Sequence, residues 1–293
     1  MRYHFAYLTA NEQRGFFTDY LHFRNMAHYL PGVAPVEITI AVSLVRPFST
    51  DDARALEGLV RCASASKSLR VRAVIWKGNV GRDYSSAQAC LKLIGEDASD
   101  DDYVMLQNRS AYGPLTNSWY KAFIDQYQKH PGTGLVGNTI NLLGHQTMPK
   151  NVDARHVQPY VYLSQWRHLR PLVDDFPGSR CTSRPEIIIV GEIGISRRIM
   201  EKDLKISCLF WPDHALTAQS VVDPRLPRGD VKRKAFGLPY RHKFPGYLRT
   251  PKALMHRLAW ATWLASHKLI PTPATEATTT EHSTRYLHTK EYD

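Results

Sequence analysis

The chain reads as an α/β sandwich around a mainly parallel central sheet, with a basic helical segment toward its C-terminal end. Three observations predict this. Short β-branched runs alternate with longer helix-compatible stretches over the first two-thirds of the sequence. Apolar residues make up 43 % of the 293 residues and charged residues 22 %, the proportions of a chain with a sizeable buried core. The net charge of +11 is segregated. From Pro224 to Ile270 there are eleven Lys/Arg and one acid, Asp230, which leaves 27 basic and 26 acidic residues elsewhere.

The elements follow in order. His4 to Leu8 is a short apolar opening, and Asn11 to Leu30 is helix-compatible and ended by Pro31-Gly32. Val36 to Val45 is β-branched and predicts a strand. Asp51 to Ser66 predicts a helix with Asp51 or Thr50 as its N-cap. Leu69 to Trp76 predicts a strand, Tyr84 to Ile94 a helix, and Asp102 to Gln107 a short buried strand. Leu115 to His130 predicts a helix stopped by Pro131-Gly132. Gly134 to Leu142, Val157 to Ser164 and Glu186 to Val190 predict three more strands. A helix from about Ile193 to Lys202 and a strand from Lys205 to Trp211 follow. The expected division is a domain over 1–223, a basic helical extension over 224–270 and a flexible Thr/Pro/Ala-rich tail over 271–293.

No apolar stretch near Met1 reads as a secretory signal, and no run of eighteen apolar residues predicts a membrane span. Cys62, Cys90, Cys181 and Cys208 are scattered, without metal-ligand spacing, and read as reduced thiols. The expected location is cytoplasmic, with the basic segment seeking an anionic partner. Lys252 to Leu269 predicts an amphipathic helix with Trp260 and Trp263 among leucines. With Lys232-Arg233-Lys234 and Arg241-His242-Lys243 it suits an anionic membrane surface. Packing on the domain with solvated cations, or nucleic-acid binding, are the other readings.

Four constellations carry the polar chemistry, each at a predicted strand end, where α/β sheets gather their ligands. In Gly78-Asn79-Val80-Gly81-Arg82-Asp83, two glycines permit a tight turn. Asn79 and Asp83 offer groups for a base, ribose or sugar hydroxyl, and Arg82 suits a phosphate. The same stretch also reads as a plain turn with Asp83 as N-cap. In Asn108-Arg109-Ser110 a buried strand runs into a polar loop. An acidic pair there would bind a divalent ion, whereas the Arg109 guanidinium neutralises a leaving diphosphate without a metal; the stretch equally reads as an ordinary turn. His156-Val157-Gln158 opens a strand and reads as an acceptor contact or as structural. Glu192, in Gly191-Glu192-Ile193-Gly194, reads as a general base for an acceptor hydroxyl or as a helix-dipole cap. Glu96, Asp97 and Asp100 to Asp102 read as a solvated acidic face.

Six stretches in register carry a resemblance. They are NVGRDYSSAQACL (79–91), YVMLQNRSAYGP (103–114), NSWYKAF (117–123), GLVGNTIN (134–141), HVQPYVYL (156–163) and GEIGISRRIMEKDLKISCL (191–209). Together they resemble GT-A glycosyltransferases of the rhamnan-synthesis protein F group and related capsule and lipopolysaccharide enzymes. The resemblance spans residues 70 to 212. It implies a GT-A-like (Rossmann-like) fold, a UDP-, GDP- or dTDP-linked sugar donor, and usually a divalent Mn²⁺ or Mg²⁺. By the same resemblance Asn79 and Asp83 fall in the donor region, beside the phosphate-suited Arg82, and Asn108, Arg109 and Ser110 in the diphosphate-reading segment. Glu192 falls where related transferases place their acidic base; apart from the resemblance, His156 and Gln158 are read as acceptor contacts. The family commonly shows Asn-Asp-Ser where this chain has Asn108-Arg109-Ser110, which argues against metal dependence.

The expected reaction is therefore sugar transfer from a nucleotide sugar to a glycan or lipid-linked glycan. A single base without a carboxylate nucleophile points to inversion. Two alternatives stand beside it: a GT-A-like protein that binds without catalysing, and a nucleic-acid-binding protein acting through the basic segment. No helix-turn-helix, zinc-finger or RNP-like signature supports the latter.

Overall fold

The computed structural model describes residues 1–12, 14–142, 148, 153–221, 237–242, 250–266 and 285–287. In chain order the strands are β1 (Tyr3–Ala10), β2 (Val36–Leu44), β3 (Leu69–Gly78), β4 (Tyr103–Asn108), β5 (Ala111–Tyr112), β6 (Thr133–Gly137), β7 (Ile140–Asn141), β8 (His156–Val157), β9 (Val161–Gln165), β10 (Lys205–Cys208), β11 (Ala215–Leu216), β12 (Arg241–His242) and β13 (Arg285–Leu287). The helices are α1 (Phe17–His28), α2 (Thr50–Ser64), α3 (Arg82–Gly95), α4 (Trp119–Lys129), α5 (Trp166–Leu169), α6 (Arg184–Glu186), α7 (Gly194–Met200) and α8 (Pro251–Ser266).

Nine strands form one sheet in the order β11-β10-β6-β9-β4-β1-β2-β3-β13. β4, β1, β2 and β3 are mutually parallel, and β6 runs parallel to β10. β9, β11 and β13 are antiparallel to their neighbours. The chain lays down β1, β2 and β3 toward one edge, then returns so that β4 lies on the other side of β1. The order reverses between β1 and β4, and such a switch point opens a crevice beyond the carboxyl ends of the two strands.

Period-2 alternation divides the apolar residues of these strands between two cores. Phe5, Ile38, Ile40 and Met105 face one core with Phe23 of α1, Leu59 of α2 and Phe123 of α4. Ala6, Leu8, Val104 and Leu106 face the other, with Cys90 and Ile94 of α3 and Ile199 of α7. Both faces of the sheet are covered, as a mainly parallel sheet requires.

Several elements differ from the sequence reading. The apolar run Ile187 to Val190 is helical, not a strand. A capping box starts the helix, Ser183 accepting from the Glu186 N–H and Glu186 accepting from the Ser183 N–H. The helix then continues through a π-helical stretch, Ile187–Ile193, into α7. The capping box and Pro185 in the first turn settle the helix start and outweigh the β-branched composition. Likewise the N-cap of α2 is Ser49, in a capping box with Asp52, and Asp52 also takes a two-pronged ion pair from Arg46. Residues 157–164 split into β8 and β9. Asp102 does not belong to a solvated face: it is 1 % exposed and accepts from the Arg2 and Ser99 backbone N–H groups. Asp97, Asp100 and Asp101 are paired with arginines.

α8 packs through Trp260, whose ring stacks on Tyr20 at 4.4 Å and whose Nε1 donates to the Gly15 carbonyl at 2.5 Å. Leu254, Met255 and Leu258 on the same helix are exposed. The Lys232-Arg233-Lys234 cluster, Lys243 and the 271–293 tail lie outside the described residues, apart from β13. Among the described residues no helix is long and apolar enough to cross a membrane.

Candidate active site at the sheet switch point

The carboxyl ends of β1, β3 and β4 bring a set of charged side chains together. Arg109, one residue beyond β4, crosses the switch point. Its Nη2 donates to Thr9 Oγ1 at 2.7 Å and Asp19 Oδ2 at 3.0 Å, and also to the Ala10 carbonyl. Nη1 reaches Glu12 Oε2 at 3.4 Å. Asp19 comes from the first turn of α1 and is fully buried.

Behind this pair a chain of hydrogen bonds fixes the carboxylate. Tyr7 Oη donates to Asp19 Oδ1 at 2.9 Å, and Thr9 Oγ1 donates to the same oxygen at 2.5 Å. Tyr7 has one proton, and it goes to the carboxylate. His22, whose Nδ1 lies 2.6 Å from Tyr7 Oη, must therefore donate through Nδ1. Burial works against the Arg109 charge, but Asp19, the Tyr7 phenol and Glu12 hold it above the usual guanidinium value. Burial lowers His22 to a pKa of about 4 against the pull of Asp19.

This has a measurable consequence. The unfolded chain protonates His22 near pH 6.5, the folded protein only near pH 4. Stability is therefore lost as pH falls from 6.5 to 4, by about 3 kcal/mol from this group. Urea unfolding at pH 7 and pH 4.5 should show that loss, and His22→Gln should remove this part of it. An identical pH dependence in the variant would rule out His22 as the cause.

Toward β3, Asn108 Nδ2 donates to Asp83 Oδ2 at 3.1 Å. The sequence reading of Asp83 as N-cap is corrected: the N-cap position is Gly81, in the left-handed region, and Asp83 lies in the first turn of α3. Gly81 is required by a close approach as well as by its φ of 68°. A Cβ there would lie 2.0 Å from the Ser179 carbonyl oxygen, and the Gly81 N–H donates to the Cys181 carbonyl at 3.1 Å. Burial raises the Asp83 carboxyl, opposed by Lys77, Arg109 and Asn108. Lys77, at the end of β3, is 7 % exposed and donates to the Gly78 carbonyl at 2.6 Å. Burial lowers its pKa to about 8 against the attraction of Asp83 and Cys90.

The other sequence-predicted residues are placed as follows. Asn79, on the β3–α3 loop, and Arg82, the first residue of α3, are exposed and make no side-chain hydrogen bond among the described residues. Ser110 is half-buried, its N–H donating to Asn108 Oδ1 at 2.9 Å. His156 and Gln158 are both 2 % exposed. Gln158 Nε2 donates to His156 Nε2 at 3.2 Å, and His156 Nδ1 lies 2.6 Å from the Ala154 carbonyl. Both sit beside α7, where Ser196 Oγ accepts from the Val157 N–H.

Glu192 is half-buried in the π-helical stretch rather than at a strand end. Its neighbour Gly191 lies flat against the Tyr84 ring, where a Cβ would come within 2.7 Å of the ring. Burial, then Glu192, Tyr162 and Asp83, push the Tyr84 phenol well above its usual value. Tyr84 thus feels both Glu192 and Asp83. A π-helical turn of this kind often marks a functional position.

Thr9, Asp19, Tyr7, His22 and Lys77 were not singled out in the sequence. Asp19 and Arg109 are 90 residues apart, and only the crossover from β1 to β4 joins them. A divalent ion, which the sequence resemblance implies, does not fit the residues at this position. The Arg109 guanidinium occupies the place of the expected carboxylate, and Asp19 already accepts from Tyr7, Thr9 and Arg109. Among the described residues no group of three or more His, Cys, Asp or Glu side chains is set to hold a metal.

No protein-family model and no curated protein matches the sequence. Solved structures give distant likenesses. The galactosyltransferase LgtC in complex with donor and acceptor sugar analogs is 12 % identical, over 92 % of this chain and 97 % of that one, with a TM-score of 0.43. S. aureus TarS is 13 % identical over 71 % of this chain and 35 % of its own, with a TM-score of 0.44. The Francisella tularensis 2-C-methyl-D-erythritol 4-phosphate cytidylyltransferase is 9 % identical over 71 % of this chain and 89 % of its own, with a TM-score of 0.42. Similarity at this level fixes neither activity nor substrate.

Proposed function

We propose that this protein is a GT-A-like glycosyltransferase that moves a sugar from a nucleotide-sugar donor to a glycan or lipid-linked glycan. One observation carries the reading. Lys77, Asp83, Asn108 and Arg109 converge at the carboxyl ends of β3 and β4, beside a switch point with β1. That is where open α/β sheets bind nucleotides, and two cations there suit a diphosphate.

In this reading the exposed Asn79 and Arg82 meet the donor from the β3–α3 loop and the start of α3, with Asp83 and Ser110 ordering its polar end. Arg109 and Lys77 offset the charge that develops on the leaving diphosphate. Arg109 is held in place by Asp19, so its charge needs no reorganisation during the reaction. Glu192 takes the proton of the attacking acceptor hydroxyl, with inversion at the anomeric carbon. His156 and Gln158 shape the acceptor side beneath α7. The test is release of nucleoside diphosphate from UDP-, GDP- and dTDP-sugars, with product stereochemistry read by NMR. Turnover of one donor class with inversion supports the reading. Nucleotide binding without transfer or hydrolysis would make the protein a GT-A-like binder.

The same reading places the protein in the cytoplasm, peripheral on a membrane. Leu254, Met255 and Leu258 are 57 %, 63 % and 61 % exposed on one side of α8, within the most basic segment of the chain. Exposed apolar side chains within a basic segment suit an anionic lipid surface. Replacing all three with Ser should weaken binding to vesicles containing phosphatidylglycerol by roughly tenfold or more. Unchanged co-sedimentation would exclude this face as the contact.

A further inference from the structure

A second site lies next to the β3–α3 loop. A cavity of about 360 Å³ opens between the segment Asp175 to Cys181 and the helix that carries α7. Its wall includes Ser179, Arg180, Arg197 and Arg198, with Asp175 and Glu201 also on the lining. None of the three arginines makes an ion pair among the described residues.

Two polar atoms in this wall are buried and unsatisfied. Ser179 is 5 % exposed, and its Oγ has no hydrogen-bond partner among the described residues. Arg197 Nη2 is equally buried and equally without a partner. Buried donors in a folded protein are normally satisfied, and a guanidinium and a hydroxyl sharing one cavity ask for an acceptor that carries charge. Arg180 and Arg198 are exposed at the rim, and together with Arg197 they outweigh Asp175 and Glu201 on the lining by one charge.

The cavity also touches the proposed donor region. Ser179 and Cys181 are the residues against which Gly81 is packed. The helix that supplies Arg197 also holds Glu192, five residues earlier. An anion bound here sits beside the donor loop and on the helix of the proposed base.

We propose that this cavity binds the anionic group of the acceptor, a phosphate or a carboxylate. The assignment to the acceptor rests on the glycosyltransferase reading. The ligand class rests on the cavity alone.

Calorimetric titration of the full chain with methyl phosphate and with glucuronate tests it. Arg197→Gln should weaken the favoured anion by roughly tenfold or more, and Ser179→Ala should weaken it by a smaller factor. Arg198→Gln, at an exposed position, provides a variant that keeps the fold. Lys67→Gln, exposed before β3, controls for general charge and should change nothing. Selective binding of methyl phosphate assigns a phosphorylated acceptor, and selective binding of glucuronate assigns an acidic sugar. Affinities that ignore both arginine substitutions, or that fall equally with Lys67→Gln, overturn the site. Anion binding that depends on Arg197 in a protein that turns over no nucleotide sugar removes the transferase reading and leaves the ligand class standing.

Discussion

Asp19→Ala is expected to cost the folded protein about 3–5 kcal/mol, the usual loss when one partner of a buried ion pair is removed. Asp19 is fully buried and receives Arg109, Tyr7 and Thr9. Without it the guanidinium keeps Glu12, which is 66 % exposed, and the Thr9 and Ala10 oxygens. Three buried donors lose their acceptor together. The melting temperature should fall by on the order of 10 °C. Asp19→Leu combined with Arg109→Met should recover much of the loss, because an apolar pair leaves no charge stranded. A single Asp19→Ala variant as stable as the parent would show that Arg109 is solvated rather than held, and its proposed role as a fixed cation would go with it.

Glu192→Gln is expected to lower turnover by about 10²–10⁴-fold, the usual contribution of a positioned base, while donor affinity stays within about twofold. The amide matches the carboxylate in size and cannot accept the acceptor proton. Glu192 is half-buried on a helix surface, so thermal stability should change little. Parallel loss of donor affinity and turnover would instead mean that Glu192 shapes the donor pocket. Unchanged turnover would move the base elsewhere.

The parallel half of the fold was legible because its strands are short, largely apolar runs separated by helix-length segments. Val36 to Val45 and Asp102 to Gln107 lie within a residue or two of β2 and β4. The helix over Ile187 to Ile193 was misread because four apolar residues in a row have no period. The deciding signal stood just ahead of them, in Ser183-Arg184-Pro185-Glu186, a capping box with proline in its first turn. Asp102 was misread for a different reason. It closes an acidic run, yet it stands just before β4 and is buried against Arg2, just before β1.

The site was legible only in its strand-end motifs. Asp83, Asn108 and Arg109 were marked by their place after apolar strands, and the sheet brings them together. Asp19, Tyr7 and His22 gave no local sign. Tyr7 looks like an ordinary strand residue and Asp19 like a helix-start acid, and their joint meaning comes only from the crossover that sets β4 beside β1. Lys77 reads as the polar end of a strand until its burial is known.

In the proposed function the switch point binds a nucleoside diphosphate. Thermal-shift measurement with UDP, GDP, dTDP and their sugar conjugates tests it most directly, on the parent protein and on Asp83→Asn and Lys77→Met. A ligand at a hundred times its Kd adds about 2.7 kcal/mol of apparent stability. Selective stabilisation by one nucleotide, undiminished by chelator and reduced in both variants, is the expected result. No stabilisation by any nucleotide, or stabilisation that both variants retain in full, would contradict it.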